Sequence, residues 1–330
     1  MPNARLTVRP GLTCLIALAV AAIAAPAGAQ DTPPAWAYPV NPPGFKPPAD
    51  DGNVRQVPDS KAGYTLTQLR DRFLAPNWHP GDYPAMPEIV AQGRKPDVYA
   101  CGFCHRADGP GGPENANLTG LPKSYIVRQM ADFKSGARKS SVQDRDPMHF
   151  KEQLAKAVTD AEIEAAATYF ASIKPRSIVR VVESATAPQA VVTAWFYTAV
   201  PNGAQEPIGQ RIVEVPENTA QFVNRDTRAR FVAYVPEGSI KRGQELATTG
   251  GGGRTLPCGT CHGGAAMRGV AVIGLPPLAG RSPSYLVRQL YDLKHGARNG
   301  SQGVIMKSTV KDLTVDDMIA LAAYMASLEP

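Results

Sequence analysis

Two short stretches, "CGFCHRA" at 101–107 and "CGTCHGG" at 258–264, each set two cysteines two residues apart with a histidine directly after them. Thiols and an imidazole at this spacing admit three chemistries. A redox dithiol uses C-x-x-C, yet it does not need the histidine, and nothing here supplies its usual βαβ setting. A zinc site could draw four thiolates from the two pairs, but it would leave His105 and His262 idle and require one metal to pin two distant segments. Covalent haem attachment uses every residue. Cys101 and Cys104, and again Cys258 and Cys261, are spaced to meet two porphyrin vinyl groups, and the next residue is an imidazole placed under the ring. This reading predicts two covalently bound haem c groups, with His105 and His262 as proximal iron ligands.

An iron with one protein ligand is open to small molecules, whereas a thioether in the sixth position closes it and raises its potential. Each copy then needs a methionine beyond its middle helix. "GVIMKS" supplies Met306, with no other Met or His between Arg298 and Thr314. "RDPMHF" supplies Met148 with His149 beside it, so the sixth ligand of the first iron is Met148 or His149. His79 has no counterpart in the other copy and is expected at the surface or a haem edge. His295 falls near a helix C-terminus, where a dipole contact suffices.

The elements that must hold these residues are repeated. "LTGLPKSYIVRQMADFKSGARKS" (118–140) matches "LAGRSPSYLVRQLYDLKHGARNG" (278–300), and "VTDAEIEAAATYFASIKP" (158–175) matches "LTVDDMIALAAYMASLEP" (313–330). Tyr125, Ile126, Gln129, Met130 and Phe133 recur at helical spacing. Ser282 before Pro283 starts a helix well, and Gly136 and Gly296 suit left-handed helix ends. Thr159 with Glu162 and Thr314 with Asp317 read as capping boxes. Tyr125, Arg128 and Arg138, with their twins Tyr285, Arg288 and Arg298, lie on the solvated face or reach haem propionates.

The chain thus divides into a signal peptide (1–29), a proline-rich arm (30–60), a first domain (61–175), a β-rich insertion (176–235) and a second domain (236–330). Arg5 and Arg9, an apolar run and Ala27-Gly28-Ala29 give the leader its export layout, and Cys14 lies in the run removed with it. Without 1–29 the basic count falls from 35 to 33 against 29 acids, a formal +4. With no long basic run, nucleic acid is not an expected partner. The arm reads as a surface strap or a free linker. "SIVRVVES", "QAVVTAWFYT", "QRIVEVP" and "ARFVAYVP" are β-branched and aromatic, and the insertion is expected to pack and space the two domains or, as the alternative, to dock a partner. The residues 236–330 are expected to fold and hold haem by themselves.

The C-x-x-C-H motifs, the L-x-G…Y-x-x-x-Q-[LM]…G-x-R stretch, the later methionine and the closing T-x-x-[DE]…A-x-Y-x-A-S helix resemble the dihaem cytochrome c family, and within it cytochrome c4. The resemblance implies a mainly α fold of two tandem class I cytochrome c domains, joined here by a small β-rich insertion foreign to the family pattern. It implies His/Met-ligated iron and electron transfer between a protein donor and an acceptor in the periplasm, with a membrane oxidase or dehydrogenase among the partners and peripheral membrane association. The family often has proline two residues before the repeated leucine. Pro276 fits before Leu278, while Ala116 takes that place before Leu118, where a backbone carbonyl can still orient His105. An electron carrier without substrate chemistry is the first reading. A dihaem peroxidase or sulfur-compound oxidoreductase, and an electron-transfer subunit of a dehydrogenase complex, are the alternatives.

Overall fold

The computed structural model describes residue 1 and residues 32–330; the leader assigned to 1–29, with Cys14, lies outside the described residues apart from Met1. Twelve α-helices run through the described chain: α1 (Leu66–Arg70), α2 (Glu88–Ala91), α3 (Cys101–His105), α4 (Lys123–Ser135), α5 (Asp146–Ala157), α6 (Asp160–Ser172), α7 (Thr219–Val223), α8 (Ser239–Thr249), α9 (Gly259–His262), α10 (Pro283–Lys294), α11 (Gly303–Val310) and α12 (Val315–Ser327). Seven short strands fall between α6 and α8: β1 (Val179–Glu183), β2 (Thr186–Pro188), β3 (Ala190–Thr193), β4 (Phe196–Ala199), β5 (Gln205–Pro207), β6 (Val213–Pro216) and β7 (Phe231–Val235).

The helices start and stop where local chemistry dictates. Thr159 and Thr314 accept from the backbone of Glu162 and Asp317, whose carboxylates reach back to the cap nitrogens, so α6 and α12 open on full capping boxes. Ser282 caps α10 ahead of Pro283, and Gly136 ends α4 at φ 76°. In the first copy α4 buries Ile126, Gln129, Met130 and Phe133 against α6, which turns Ile163, Ala166, Ala167, Tyr169 and Phe170 inward. In the second copy α10, α11 and α12 form the matching layer, and α8 crosses α12 at Gly243. A smaller apolar group of Val57, Leu66, Leu69 and Trp78 lies ahead of the first motif.

The arm is a strap. Tyr38 is buried and its hydroxyl donates to Asp292 at 2.7 Å, while Arg145 Nε donates to Pro39 O at 3.2 Å. The insertion does more than space two domains. Its main sheet has the order β1-β7-β6, with β1 parallel to β7 and β6 antiparallel to it. Ile178, Val179, Phe196, Ile212, Phe222, Phe231, Ala233 and Val235 join one apolar core with Leu246, Leu286, Met318, Ile319 and Leu321 of the second copy. Phe222 sits edge-on between Phe196 and Phe231, at 4.5 and 5.0 Å between ring centroids. The line drawn at 235/236 follows the repeat but cuts through this core, which argues against 236–330 folding alone.

Candidate functional site

Both C-x-x-C-H motifs fold as single helical turns, α3 and α9, that open onto one large cavity of about 540 Å³. Cys101, Cys104 and His105 line it at one end, and Cys258, Cys261 and His262 at the other. The four thiols are free. Among the described residues no three His, Cys, Asp or Glu side chains gather as a metal cluster, so the two pairs do not converge as a four-thiolate site would require. Burial pushes the thiols of Cys101 and Cys258 up to about 11.

The two histidines are held alike. His105 Nδ1 lies 2.8 Å from Ala116 O, and His262 Nδ1 lies 2.9 Å from Pro276 O. A carbonyl only accepts, so Nδ1 carries the proton in both rings and each Nε2 keeps a free lone pair. The carbonyl at Ala116 thus does what the proline's carbonyl does in the other copy. Desolvation holds both imidazoles neutral, with His105 pushed down to about 3. A neutral imidazole with its outer nitrogen bonded to a carbonyl is the form that binds iron.

Met148, on the first turn of α5, and Met306, on α11, also line the cavity. His149 is exposed and is not among the lining residues. The remaining walls are mostly apolar, including Leu121, Ile126, Met130 and Leu154 at the first end and Leu278, Leu286, Leu290 and Leu321 at the second. Thiols, a neutral imidazole and a thioether around an apolar space fit a covalently held, flat, apolar macrocycle.

Between the two ends lies a crossed polar lattice built from the repeated residues. Arg138 donates to Gln129 (2.6 Å), Tyr285 (3.1 Å) and Gln289 (2.9 Å). Arg298 donates to Gln289 (3.1 Å), Tyr125 (3.3 Å) and Gln129 (2.8 Å). These arginines therefore lie in the seam between the copies and not on a solvated face. The other repeated arginine pair diverges: Arg128 reaches Gly274 O at 3.0 Å, whereas Arg288 is buried on Ala37 O and Pro113 O.

Several residues here gave little signal in the sequence. Arg281 is buried and donates to Pro277 O (2.9 Å), Thr119 O (3.1 Å) and Asn117 O, so one guanidinium ties the two loops that carry Ala116 and Pro276. Burial lowers its pKa to about 10. The repeat places Leu121 opposite Arg281, and that mismatch was the one clue. His79 is not at the surface: it is 4% exposed and bonds Asp226 of the insertion at 3.0 Å. Its partner lies 147 residues away in sequence, beyond the reach of local reading. His295 stacks on Tyr291 at the end of α10, with ring centroids 4.1 Å apart.

A profile of the cytochrome c family matches residues 91–174 and 240–329, more than half of the chain. A protein described as a thiosulfate dehydrogenase electron acceptor in Stutzerimonas stutzeri is 27% identical over 72% of this chain and 82% of its own length. Cytochrome c4 of Pseudomonas aeruginosa is 24% identical over 69% of this chain and 83% of its own. A solved thiosulfate dehydrogenase from Marichromatium purpuratum overlays with a TM-score of 0.48 at 27% identity, covering 72% of this chain and 38% of that longer one. Cytochrome c4 from Pseudomonas stutzeri overlays with a TM-score of 0.44 at 22% identity, covering 69% and 93% of the two chains. The chain belongs to the cytochrome c family, as a cytochrome c4-like dihaem electron-transport protein that carries two covalently bound haem c groups.

Proposed function

We propose that the protein is a periplasmic electron carrier in which Cys101 and Cys104 tether the first haem and Cys258 and Cys261 the second. His105 and His262 are the proximal ligands, and Met148 and Met306 close the sixth positions. The observation that carries this reading is the matched pair of histidines, each with Nδ1 fixed by a carbonyl and Nε2 free, on a cavity that also takes in Met148 and Met306. Bound haem supplies one-electron exchange between ferric and ferrous iron. The chain's own part is to orient: Ala116 and Pro276 set the imidazole tautomers, Met148 and Met306 occupy the remaining iron position, and the apolar walls exclude water. His149, exposed and outside the lining, is set aside as the first sixth ligand. With Met148 and Met306 as sixth ligands neither iron would keep an open coordination site, which favours a carrier over a peroxidase or sulfur-compound oxidoreductase.

The relatives described as electron acceptors of thiosulfate dehydrogenase support a sulfur-compound dehydrogenase as the donor. No helix among the described residues is long and apolar enough to cross a membrane. The test uses purified, exported protein. Mass spectrometry should show the polypeptide cleaved after Ala29 plus two haem masses. The weak absorption band of sulfur bound to ferric iron should lose about half its intensity in Met306→His and again about half in Met148→His, with one potential falling each time. A ferrous wild type that binds carbon monoxide stoichiometrically would overturn the carrier reading, and an unchanged sulfur band would overturn the ligands.

A further inference from the structure

The two C-x-x-C-H motifs sit in unlike surroundings, and the insertion makes part of the difference. Phe103, between the first pair of cysteines, lies under Arg225, whose guanidinium stands 3.9 Å from the ring centroid and donates to the Phe103 carbonyl. The second motif has Thr260 in that place, exposed, and Cys261 is exposed where Cys104 is half-buried. Tyr99, two residues before Cys101, packs edge-on against Phe73 (5.4 Å) and Phe150 (6.0 Å). Trp195 of the insertion meets Phe150 from outside at 6.4 Å, and Arg72 lies over it at 4.0 Å. The hairpin that delivers Trp195 turns on Ala194 at φ 48° and Trp195 at φ 73°, a left-handed backbone that non-glycine residues resist.

Among the described residues nothing takes this role at the second mouth. Leu256, the counterpart of Tyr99, is 65% exposed; Val304 and Ile305, just before Met306, are 56% and 64% exposed. Leu256 and Ile305 line the cavity, and the Thr255 hydroxyl ties the two edges by donating to Thr309 O at 2.9 Å. Exposed apolar residues gathered at one opening mark a contact surface. The charge around them is mostly basic. From 250 to 311 there are eight basic residues against the single acid Asp292, which is buried on Tyr38; the equivalent stretch 93–156 has eleven against seven. Arg254, Lys307 and Lys311 are exposed. Lys311 has Asp312 at 3.9 Å, and the buried Asp317 is shared between Arg254 and Arg242, so the rim stays cationic.

We propose that the mouth at Cys258 and Cys261 is the docking face for an acidic redox protein, and that the insertion closes the mouth at Cys101 and Cys104 to such partners. This rests on the haem assignment above. With haem bound, the partner's reduced metal centre would give up one electron and the ferric second site would take it up to become ferrous, with no bond broken and no proton moved. The apolar centre gives close contact, and the cationic rim steers and orients the partner.

The oxidised holoprotein is mixed in a stopped-flow instrument with a reduced, acidic blue-copper protein as the probe. Haem content and the sulfur-to-iron band of every variant are measured first, since a loss there belongs to the haem assignment and not to docking. The second-order rate should fall as ionic strength rises. At low ionic strength Lys307→Glu with Lys311→Glu should lower the rate about tenfold and flatten the salt slope. Leu256→Gln should lower it several-fold with the salt slope kept. Arg180→Glu, on the outer strand β1, should change it less than twofold. Equal losses at Arg180 and at the lysines would reduce the effect to net charge, and a loss confined to Arg180→Glu would place docking on the insertion. Either result, or a rate indifferent to all four substitutions, overturns the proposal.

Discussion

Adding one methyl group at Gly243 should loosen the second half of the molecule. This glycine lies within α8 where α8 crosses α12, and a Cβ there would stand 1.9 Å from Ala320 O, 2.6 Å from Ala320 C and 2.8 Å from Tyr324 Cβ. Carbon and oxygen pack at about 3.3 Å or more, so the helices must part by roughly 1 Å or more along their crossing. Neither obstacle is a flexible side-chain end; two of the three atoms are helix backbone. Overpacking of this kind costs about 3 kcal/mol. Alanine returns about 1 kcal/mol of helix propensity, so packing wins and a net loss of about 2 kcal/mol is expected. For a unit of this size that lowers Tm by roughly 4–8 °C. The displacement reaches the cavity, because Leu321 and Met325 of α12 line it and the Tyr324 hydroxyl bonds Ala265 O beyond the second motif at 3.0 Å. Thermal melts of the holoprotein, followed by far-ultraviolet circular dichroism and by the haem absorption band, should both move. A Gly243→Ala protein that melts at or above the wild-type temperature would refute the close crossing.

Two further outcomes follow from the insertion's packing. A fragment of residues 236–330, matured alongside the haem attachment machinery, should fail to retain haem, whereas 176–330 should hold it, because the sheet supplies part of the second core; soluble haem protein from the shorter fragment would show that core to be dispensable. Glu214→Gln should raise stability at pH 7 and lose that advantage in acid. Glu214 is buried on Ser282 and Ser284 at the start of α10, and desolvation lifts its pKa above the ordinary 4.5. A carboxyl held above its unfolded value binds its proton more tightly in the folded chain, so wild-type stability falls as pH rises from 4.5 through the folded pKa. The neutral glutamine escapes that loss; a Tm gain that is larger at about pH 4 than at pH 7 would reverse the sign and refute the reasoning.

What the sequence made legible was local or repeated. The capping boxes at Thr159 and Thr314, the buried face of α4 and the left-handed end at Gly136 follow from near neighbours in the chain, and the structure has each of them. The two methionines were found by comparing one copy with the other, and both line the cavity. What stayed hidden depended on contacts between segments. "QAVVTAWFYT" reads as β-branched and aromatic with no turn signal at Ala194 and Trp195, yet the chain reverses there into β3 and β4. The pattern of β1 and β7 shows apolar strands without saying which core receives them. Arg281 and His79 each find their partners in another part of the chain.

The repeat and its departures have different consequences for two haem sites made from the same motif. Where the copies agree, at Arg138 and Arg298 with Gln129 and Gln289, the side chains cross the seam and bind each half to the other nearly symmetrically. Where they differ, the environments diverge. Arg281 stands where the first copy has Leu121 and bonds the backbone of the loops behind both histidines. The insertion spends Arg225 and Trp195 on the first mouth and its apolar face on the second core. Arg225 and Arg106 crowd the first motif, and Arg106 is buried over Phe222 at 4.5 Å from the ring centroid. The second motif instead faces solvent through Cys261 and Thr260. The insertion thus makes the two sites unlike: it covers Phe103 and Phe150 beside the first motif and lends its apolar face to the core behind the second.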